Sequence, residues 1–282
     1  MLIGVDVGGT FTDVVAVSEG QIRTVKVSTD VRNTEKGVIA GAREMGVENA
    51  RVFSHASTHG LNAVITRRLP KIGFLTTDGH RDMLDAGRTW RPVADLTNPH
   101  WRRTFGDAAK PLVPRYLRRG ITERITADGG VLIPLDEAQA RTQIAVLRES
   151  GVSGVAICLL NAYVNHAHEK RLREIVIEEL GNIPCSVSSE LSPLAKEYAR
   201  ASTAVIDVFM RIIYGDYTQR LDKGLRDLGF AGELNYANCA AQLLSADVAM
   251  QRPFEIVFAG PAAGTNASAH FGKLVDELDQ LI

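Results

Sequence analysis

The first thirty residues constrain the fold most. Leu2–Val7 is apolar, residues 11–17 are rich in valine and threonine, and Gln21–Ser28 alternates Ile, Thr and Val with charged residues. The joins, Gly8-Gly9-Thr10 and Glu19-Gly20, are short and glycine-bearing, as tight antiparallel hairpins require. Three antiparallel strands therefore start the sheet. Strands then alternate with helices, the mark of an α/β protein. Helices are expected at Thr34–Met45, 60–68, 81–86, 136–150 and 166–180, and strands at Val52–Ser57, 71–77, 152–160 and 185–189. From 199 to 228 an apolar stripe recurs at helical spacing, which predicts a long helix with a break near Gly215. Strands at 233–238 and 254–258 follow, then a small-residue turn leading into a helix over 260–273.

At ~150 residues per domain, 282 residues suggest about two domains. With 45% hydrophobic and 23% charged residues the chain is neither disordered nor fibrous. Its 32 basic and 33 acidic residues leave −1, so overall charge gives no reason to expect nucleic-acid binding. No run approaches the ~18 apolar residues of a membrane span, and no basic-then-apolar leader opens the chain. Cys158, Cys185 and Cys239 are an odd, scattered set without a CxxC pair, as expected of a cytoplasmic protein. Residues 87–128, with four prolines, both tryptophans and clustered arginines, break the rhythm. They are expected to form a long, partly ordered excursion of functional or interface character. Arg102-Arg103 and Arg118-Arg119 within it are read as salt-bridging or subunit-contact residues.

The chemistry concentrates in Asp6-Val7-Gly8-Gly9-Thr10-Phe11-Thr12-Asp13 at the tip of the first hairpin. Adjacent glycines permit positive φ and put no Cβ between backbone N–H groups and a ligand. Successive N–H groups in such a turn can form a concave anion site, to which Thr10 and Thr12 add hydroxyl donors. Asp6, at a strand end, is placed to hold a hydrated Mg2+. A carboxylate beside a phosphate implies an intervening cation, so the set points to nucleotide plus metal. There is no GK[ST], and a strand follows the glycines, which excludes the Walker and Rossmann loops. His55 and His59 have the i, i+4 spacing of a metal pair. His55 ends a strand and no third ligand is near, so substrate contact or helix capping is expected instead. His166 and His168 open a helix, where solvated histidines are expected. Asp78, His80, Arg81 and Asp82 follow an apolar strand, where α/β folds place ligand groups.

These residues resemble the actin-like ATPase superfamily, whose first phosphate loop joins two hairpin strands. More narrowly, the chain is similar to the N-terminal part of the hydantoinase A / 5-oxoprolinase family, which includes the ATP-using subunits of acetone and acetophenone carboxylases. The resemblance rests on IGVDVGGTFTDVV at the start, His55-Ala56-Ser57-Thr58 with Asn62-Ala63, and Thr76-Thr77-Asp78-Gly79-His80-Arg81-Asp82. It continues through Ser188-Ser189-Glu190-Leu191-Ser192-Pro193, Glu197-Tyr198-Ala199-Arg200 and Gly260-Pro261-Ala262-Ala263-Gly264.

The resemblance implies an actin-like (ribonuclease-H-like) α/β domain whose mixed sheet starts with three antiparallel strands and which ends in a helical segment. Residues 1–190 form the N-terminal actin-like domain, and 191–282 start a second, incomplete one. It implies an enzyme that uses ATP and Mg2+ to phosphorylate the carbonyl (enol or imidate) oxygen of a cyclic amide or ketone, leading to hydrolysis or carboxylation. The alternative is a non-catalytic structural or regulatory paralogue. Gly8, Gly9, Thr10 and Thr12 are expected to contact phosphate, and Asp6 and Asp13 to hold Mg2+ or position water. His55, Thr58, Asn62, Asp78 and Arg81 are possible cleft residues. The family continues into a second Gly-Gly-Thr loop, so a complementary subunit carrying that loop and the adenosine site is expected, in a hetero-oligomer. Where the family shows QSNGG, Asn238-Cys239-Ala240-Ala241-Gln242 lacks both glycines.

Overall fold

The computed structural model describes residues 1–86 and 111–274. The chain forms two compact units, one from Met1–Thr66 with Ile213–Ile282, the other from Arg67–Ile212.

The first unit is built on strands β1 (Leu2–Val7), β2 (Phe11–Ser18), β3 (Gln21–Ser28), β4 (Val52–Ser57), β11 (Glu233–Ala237) and β12 (Leu243–Ser245), in the order β12-β11-β4-β1-β2-β3. The expected hairpins are present, β1 antiparallel to β2 and β2 to β3, while β1, β4 and β11 run parallel. Glu19 and Gly20 both have positive φ, as the twist-matched two-residue hairpin turn requires. Helix α1 (Thr34–Met45) packs on β2 and β3 through glycines: a Cβ on Gly41 would lie 2.6 Å from Val14 Cγ2. Ile3, Val5, Val7, Val14, Val38, Ala42 and Phe53 form the buried core there. Helix α2 (His59–Thr66) follows β4.

The second unit holds a four-stranded all-parallel sheet, ordered β10-β9-β5-β6, from β5 (Gly73–Thr77), β6 (Arg118–Ile121), β9 (Val155–Cys158) and β10 (Cys185–Val187). The short helix α3 (Met83–Ala86) follows β5, and a small β7–β8 hairpin (Arg124–Ile125, Val131–Ile133) follows β6. Helices α4 (Glu137–Glu149), α5 (Ala167–Leu180) and α6 (Ser188–Leu191) complete it. Asp136 caps α4 by accepting the Gln139 N–H at 2.9 Å, confirming the acidic start read from sequence.

Helix α7 (Glu197–Asp227) is continuous through Gly215, so the expected break is absent. Its residues up to Ile212 belong to the second unit and those from Ile213 to the first. The helical C-terminal segment continues as α8 (Ala246–Gln251) and α9 (Ala259–Leu274).

Two expectations are corrected. Residues 254–258 are not a strand. Pro253 presets a helical φ for a 3-10 turn over Pro253–Ile256, and β12 already fills the sheet edge beside β11. Residues 111–128 are regular, with a 3-10 turn at Arg115–Leu117 and the strands β6 and β7. Arg118 is fully buried. Its guanidinium donates to both Asp85 carboxylate oxygens at 2.6 and 2.9 Å and to the Val113 carbonyl at 2.8 Å, bearing out its salt-bridging role. The rest of the excursion, residues 87–110 with Arg102-Arg103, lies outside the described residues. Among the described residues no helix is long and apolar enough to cross a membrane.

Candidate functional site

In the first unit the parallel strands β1, β4 and β11 all end at one sheet edge, where open α/β sheets take ligands. The Gly8–Thr10 turn leaves β1 there. Gly8 donates to the Phe11 carbonyl at 3.0 Å, closing the turn, and the Thr10 carbonyl accepts from Thr29 at 2.9 Å. Among the described residues no protein acceptor takes the Gly9 or Thr10 N–H. Neither glycine uses the positive φ open to it. At Gly8 the tight feature is close approach instead, since a Cβ would sit 3.0 Å from the Phe11 carbonyl oxygen.

A second connection braces this turn. Thr58, between β4 and α2, donates through its backbone N–H and its hydroxyl to the Val7 carbonyl at 3.2 and 3.1 Å. Asn62 Nδ2 donates to the Thr58 hydroxyl at 3.2 Å and lies 3.6 Å from where a Gly9 Cβ would stand. Gly260, at the start of α9, approaches from a third element. A Cβ there would lie 3.2 Å from Thr58 Cγ2 and 3.8 Å from Asp6 Oδ1. The Gly-Pro-Ala-Ala-Gly run was visible in sequence, but nothing in its spacing tied Gly260 to Asp6.

Asp6 and Asp13 face each other across β1 and β2, and Asp13 faces Lys26 on β3. Lys26 pairs with Asp13, while no cation pairs with Asp6 among the described residues. Partial burial, with the Asp13 charge adding to it, raises the Asp6 carboxyl above the usual carboxylate range. Two carboxylates at matched register, one without a cation, suit a hydrated divalent ion that keeps most of its water. No cluster of three or more His, Cys, Asp and Glu side chains able to hold a metal exists among the described residues.

Thr12 is a correction. Its side chain is buried, with its hydroxyl 3.0 Å from that of Thr29 and packed under Gly37 of α1, so it cannot offer phosphate a hydroxyl. The strand alternation that turns Asp6 and Asp13 to the opposite face buries Thr12. His55 is a second correction. It has no exposed surface, its Nε2 lies 2.5 Å from the Tyr217 hydroxyl, and the tilted Tyr236 ring lies 5.0 Å away, so in this structure the ring presents no atom to a ligand. Burial lowers its pKa to about 3, holding it neutral. His59 stacks on Tyr217, and burial lowers its pKa too. Thr10 is exposed at the turn.

Asp78 and Arg81 belong to the second unit. Asp78 is exposed beyond β5, and its N–H donates to Ile121. Arg81 donates to the Arg115 carbonyl at 3.1 Å.

The Asn238–Gln242 turn between β11 and β12 is closed on itself. Asn238 Oδ1 accepts from Ala240 and Gln242, both at 2.9 Å, and the N–H groups of Asn238, Cys239 and Ala241 all reach protein carbonyls. It offers an anion none of these five donors, in contrast to Gly9 and Thr10.

The model of the hydantoinase/oxoprolinase N-terminal region matches residues 2–180, and that of hydantoinase/oxoprolinase matches residues 200–282. The chain belongs to the hydantoinase/oxoprolinase family. Among its relatives, the acetophenone carboxylase gamma subunit of Aromatoleum aromaticum is 33% identical over 291 residues, covering 96% of this chain and 39% of the relative. Caprolactamase subunit alpha of Pseudomonas jessenii is 31% identical over 276 residues, covering 94% and 39%. The crystal structure of ATP-dependent caprolactamase from the same organism superposes with a TM-score of 0.81 at 28% identity, over 98% of this chain and 41% of that one. Nucleotide-free acetone carboxylase, at 24% identity, has a TM-score of 0.82 and shares the fold. This hydantoinase/oxoprolinase chain thus spans about two-fifths of the length of these relatives.

Proposed function

We propose that the chain supplies the first phosphate-binding half of an actin-like, ATP-using enzyme that activates a carbonyl oxygen. The observation that carries this is the pair of N–H groups on Gly9 and Thr10, which meet no protein acceptor among the described residues, in the turn that follows the strand of Asp6, a carboxylate with no ion pair among the described residues. In this reading Gly9, Thr10 and the Thr10 hydroxyl receive phosphate oxygens. Asp6, supported by Asp13, holds Mg2+ through water, which neutralises phosphate charge when bound. Thr58 and Asn62 keep the turn in place. Phosphoryl transfer needs mainly positioning and charge neutralisation, and a preformed turn braced from two other elements supplies positioning.

The acceptor is the enol or imidate oxygen of a ketone or cyclic amide. As the α-carbon or amide N–H proton passes to solvent, that oxygen bonds to the γ-phosphorus, the bond from the γ-phosphorus to the β–γ bridging oxygen breaks, and ADP leaves. Hydrolysis or carboxylation of the activated carbonyl follows. The ATP-dependent caprolactamase structure supports the use of ATP, and the relatives named as subunits support a hetero-oligomer. The adenosine site and a second phosphate loop come from the part of the relatives' length that this chain does not cover. We take residues 1–190 and 191–282 as two sequence modules of that assembly.

The test is Mg-ATP titration of the 282-residue chain, followed by the amide NMR signals of Gly9 and Thr10. Both are expected to shift saturably. Gly9→Ala, whose methyl meets only an ordinary 3.6 Å contact with Asn62, should keep the fold and the backbone N–H, and should weaken binding because the added methyl crowds the phosphate oxygens. Mg-ATP shifts confined to residues other than Gly9 and Thr10 would overturn the assignment.

A further inference from the structure

The second unit carries a feature that the phosphate loop does not use. The chain leaves β5 for β6 on one side and later returns to β9 on the other, so the sheet order β10-β9-β5-β6 has a topological switch between β5 and β9. Open parallel sheets take ligands at the carboxyl ends of the strands flanking such a switch. Thr77 ends β5 there. Its hydroxyl accepts the Leu160 N–H at 2.9 Å, just beyond β9, and donates its one proton to Glu123 Oε1. Glu123 has a completely buried side chain, and its other oxygen lies 2.8 Å from His168 Nδ1 in the first turn of α5. Asn161, the next residue along this edge, sits at φ 56°, a conformation few non-glycine residues adopt.

These contacts determine the histidine tautomer. A carboxylate only accepts hydrogen bonds, so the Nδ1 atom facing it carries the proton. In the neutral ring Nε2 then has a free lone pair. It has no partner among the described residues, although the side chain is only 11% exposed. The sequence predicts a solvated helix-start histidine at 168. The structure shows instead a largely covered imidazole, oriented by a buried carboxylate, with Nε2 reaching the surface and meeting no protein partner among the described residues. Carboxylate orientation of this kind is how proteins aim a histidine at a ligand.

We propose that this edge is a binding subsite in which His168 Nε2 accepts a hydrogen bond from the N–H of a small cyclic amide, with Glu123 and Thr77 as positioning residues. The ligand class rests on the carbonyl-activation reading above; the subsite rests on the geometry of the second unit alone. No three-carboxylate or histidine cluster able to hold a metal exists among the described residues, and a lone oriented imidazole suits a neutral donor.

The probe is 2-pyrrolidinone, which has one amide N–H, with N-methyl-2-pyrrolidinone as the control that lacks it. Long-range 1H–15N NMR of the 282-residue chain, without nucleotide or metal, reads the His168 ring nitrogens directly. In the neutral ring of the free protein the proton should sit on Nδ1. Nε2 should shift saturably with 2-pyrrolidinone and not with the N-methyl compound. Glu123→Gln should abolish the Nε2 response while the amide spectrum stays folded. An Nε2 signal that ignores both probes, moves equally with both, or starts in the other tautomer would overturn the proposal. The two-probe comparison on the unmutated chain decides this by itself, so a misfolded Glu123→Gln protein leaves the test intact. Since the readout involves neither ATP nor Gly9 and Thr10, its failure is separable from failure of the phosphate-site assignment.

Discussion

Ala241 shows how one backbone angle carries information that residue type alone conceals. It sits at φ 56° in the turn that joins β11 to β12, held by its N–H bond to the Asn238 carbonyl at 3.0 Å. For an L-residue with a Cβ that conformation costs roughly 1–2 kcal/mol. The resemblance puts a glycine-bearing segment at this turn, and the backbone has kept the shape that a glycine permits. Ala241→Gly is therefore expected to stabilise the chain by about 0.5–1 kcal/mol, once the greater freedom of glycine in the unfolded chain is subtracted. For a chain of this size that is a rise in melting temperature of about 1–4 °C. A calorimetric scan showing no rise would mean the turn relaxes without strain. Gly8 teaches the opposite lesson, because its φ is ordinary and the tight feature is the nearness of the Phe11 carbonyl.

Among the elements of the second unit, α5, α6 and α7 are tied by charges that no solvent reaches. Glu169 and Arg200 are both fully buried, and Ser188 bridges them, donating to Glu169 Oε1 at 2.6 Å and accepting from Arg200 at 2.8 Å. Glu169 also accepts from the Leu159 and Ser189 N–H groups, and Arg200 donates to the Leu159 carbonyl. Removing one partner strands the other's charge in a dry interior. Arg200→Met is expected to cost about 3–5 kcal/mol, and the double variant Glu169→Gln with Arg200→Met less than the sum of the single losses. Urea unfolding of the three variants measures this, and strict additivity would show that the two charges are independent. The same elements show what a sequence conceals. Helix α7 was legible because its apolar stripe repeats over many turns. Strand β6, Arg118–Ile121, was not, because an arginine pair reads as surface until Asp85 is seen to neutralise Arg118 inside.

For the molecule as a whole, acid stability follows from His55. Its folded pKa is near 3 because burial, with the His59 charge adding to it, disfavours the charged ring. In the unfolded chain the value returns to about 6.5. Between these limits the unfolded state binds one more proton at this site than the folded state. This contribution is therefore fully present above about pH 6.5 and is lost as pH falls towards 3, at up to about 1.4 kcal/mol per pH unit. Lowering the pH from 6.5 to 5 should cost about 2 kcal/mol through this residue. Amide exchange at Phe53 and Tyr236, in the core that surrounds His55, should lose protection accordingly. His55→Gln should flatten that dependence whatever its effect at neutral pH. Equal slopes in the two proteins would mean that His55 is protonated in the folded state.

The sequence by itself determined the α/β character, the opening hairpins, the family and the turn at Gly8 to Thr10. Hydrophobic period, glycine spacing and short motifs are local properties, readable without knowing what packs against what. Tertiary structure alone decided which side chains reach that turn. Strand alternation turned Thr12 under α1, the Tyr217 hydroxyl claimed His55, and chain return brought Gly260 beside Asp6. It also made a dyad of Glu123 and His168, 45 residues apart. Such pairings are set by which strands become neighbours, and long-range contact leaves no periodic trace along a single chain.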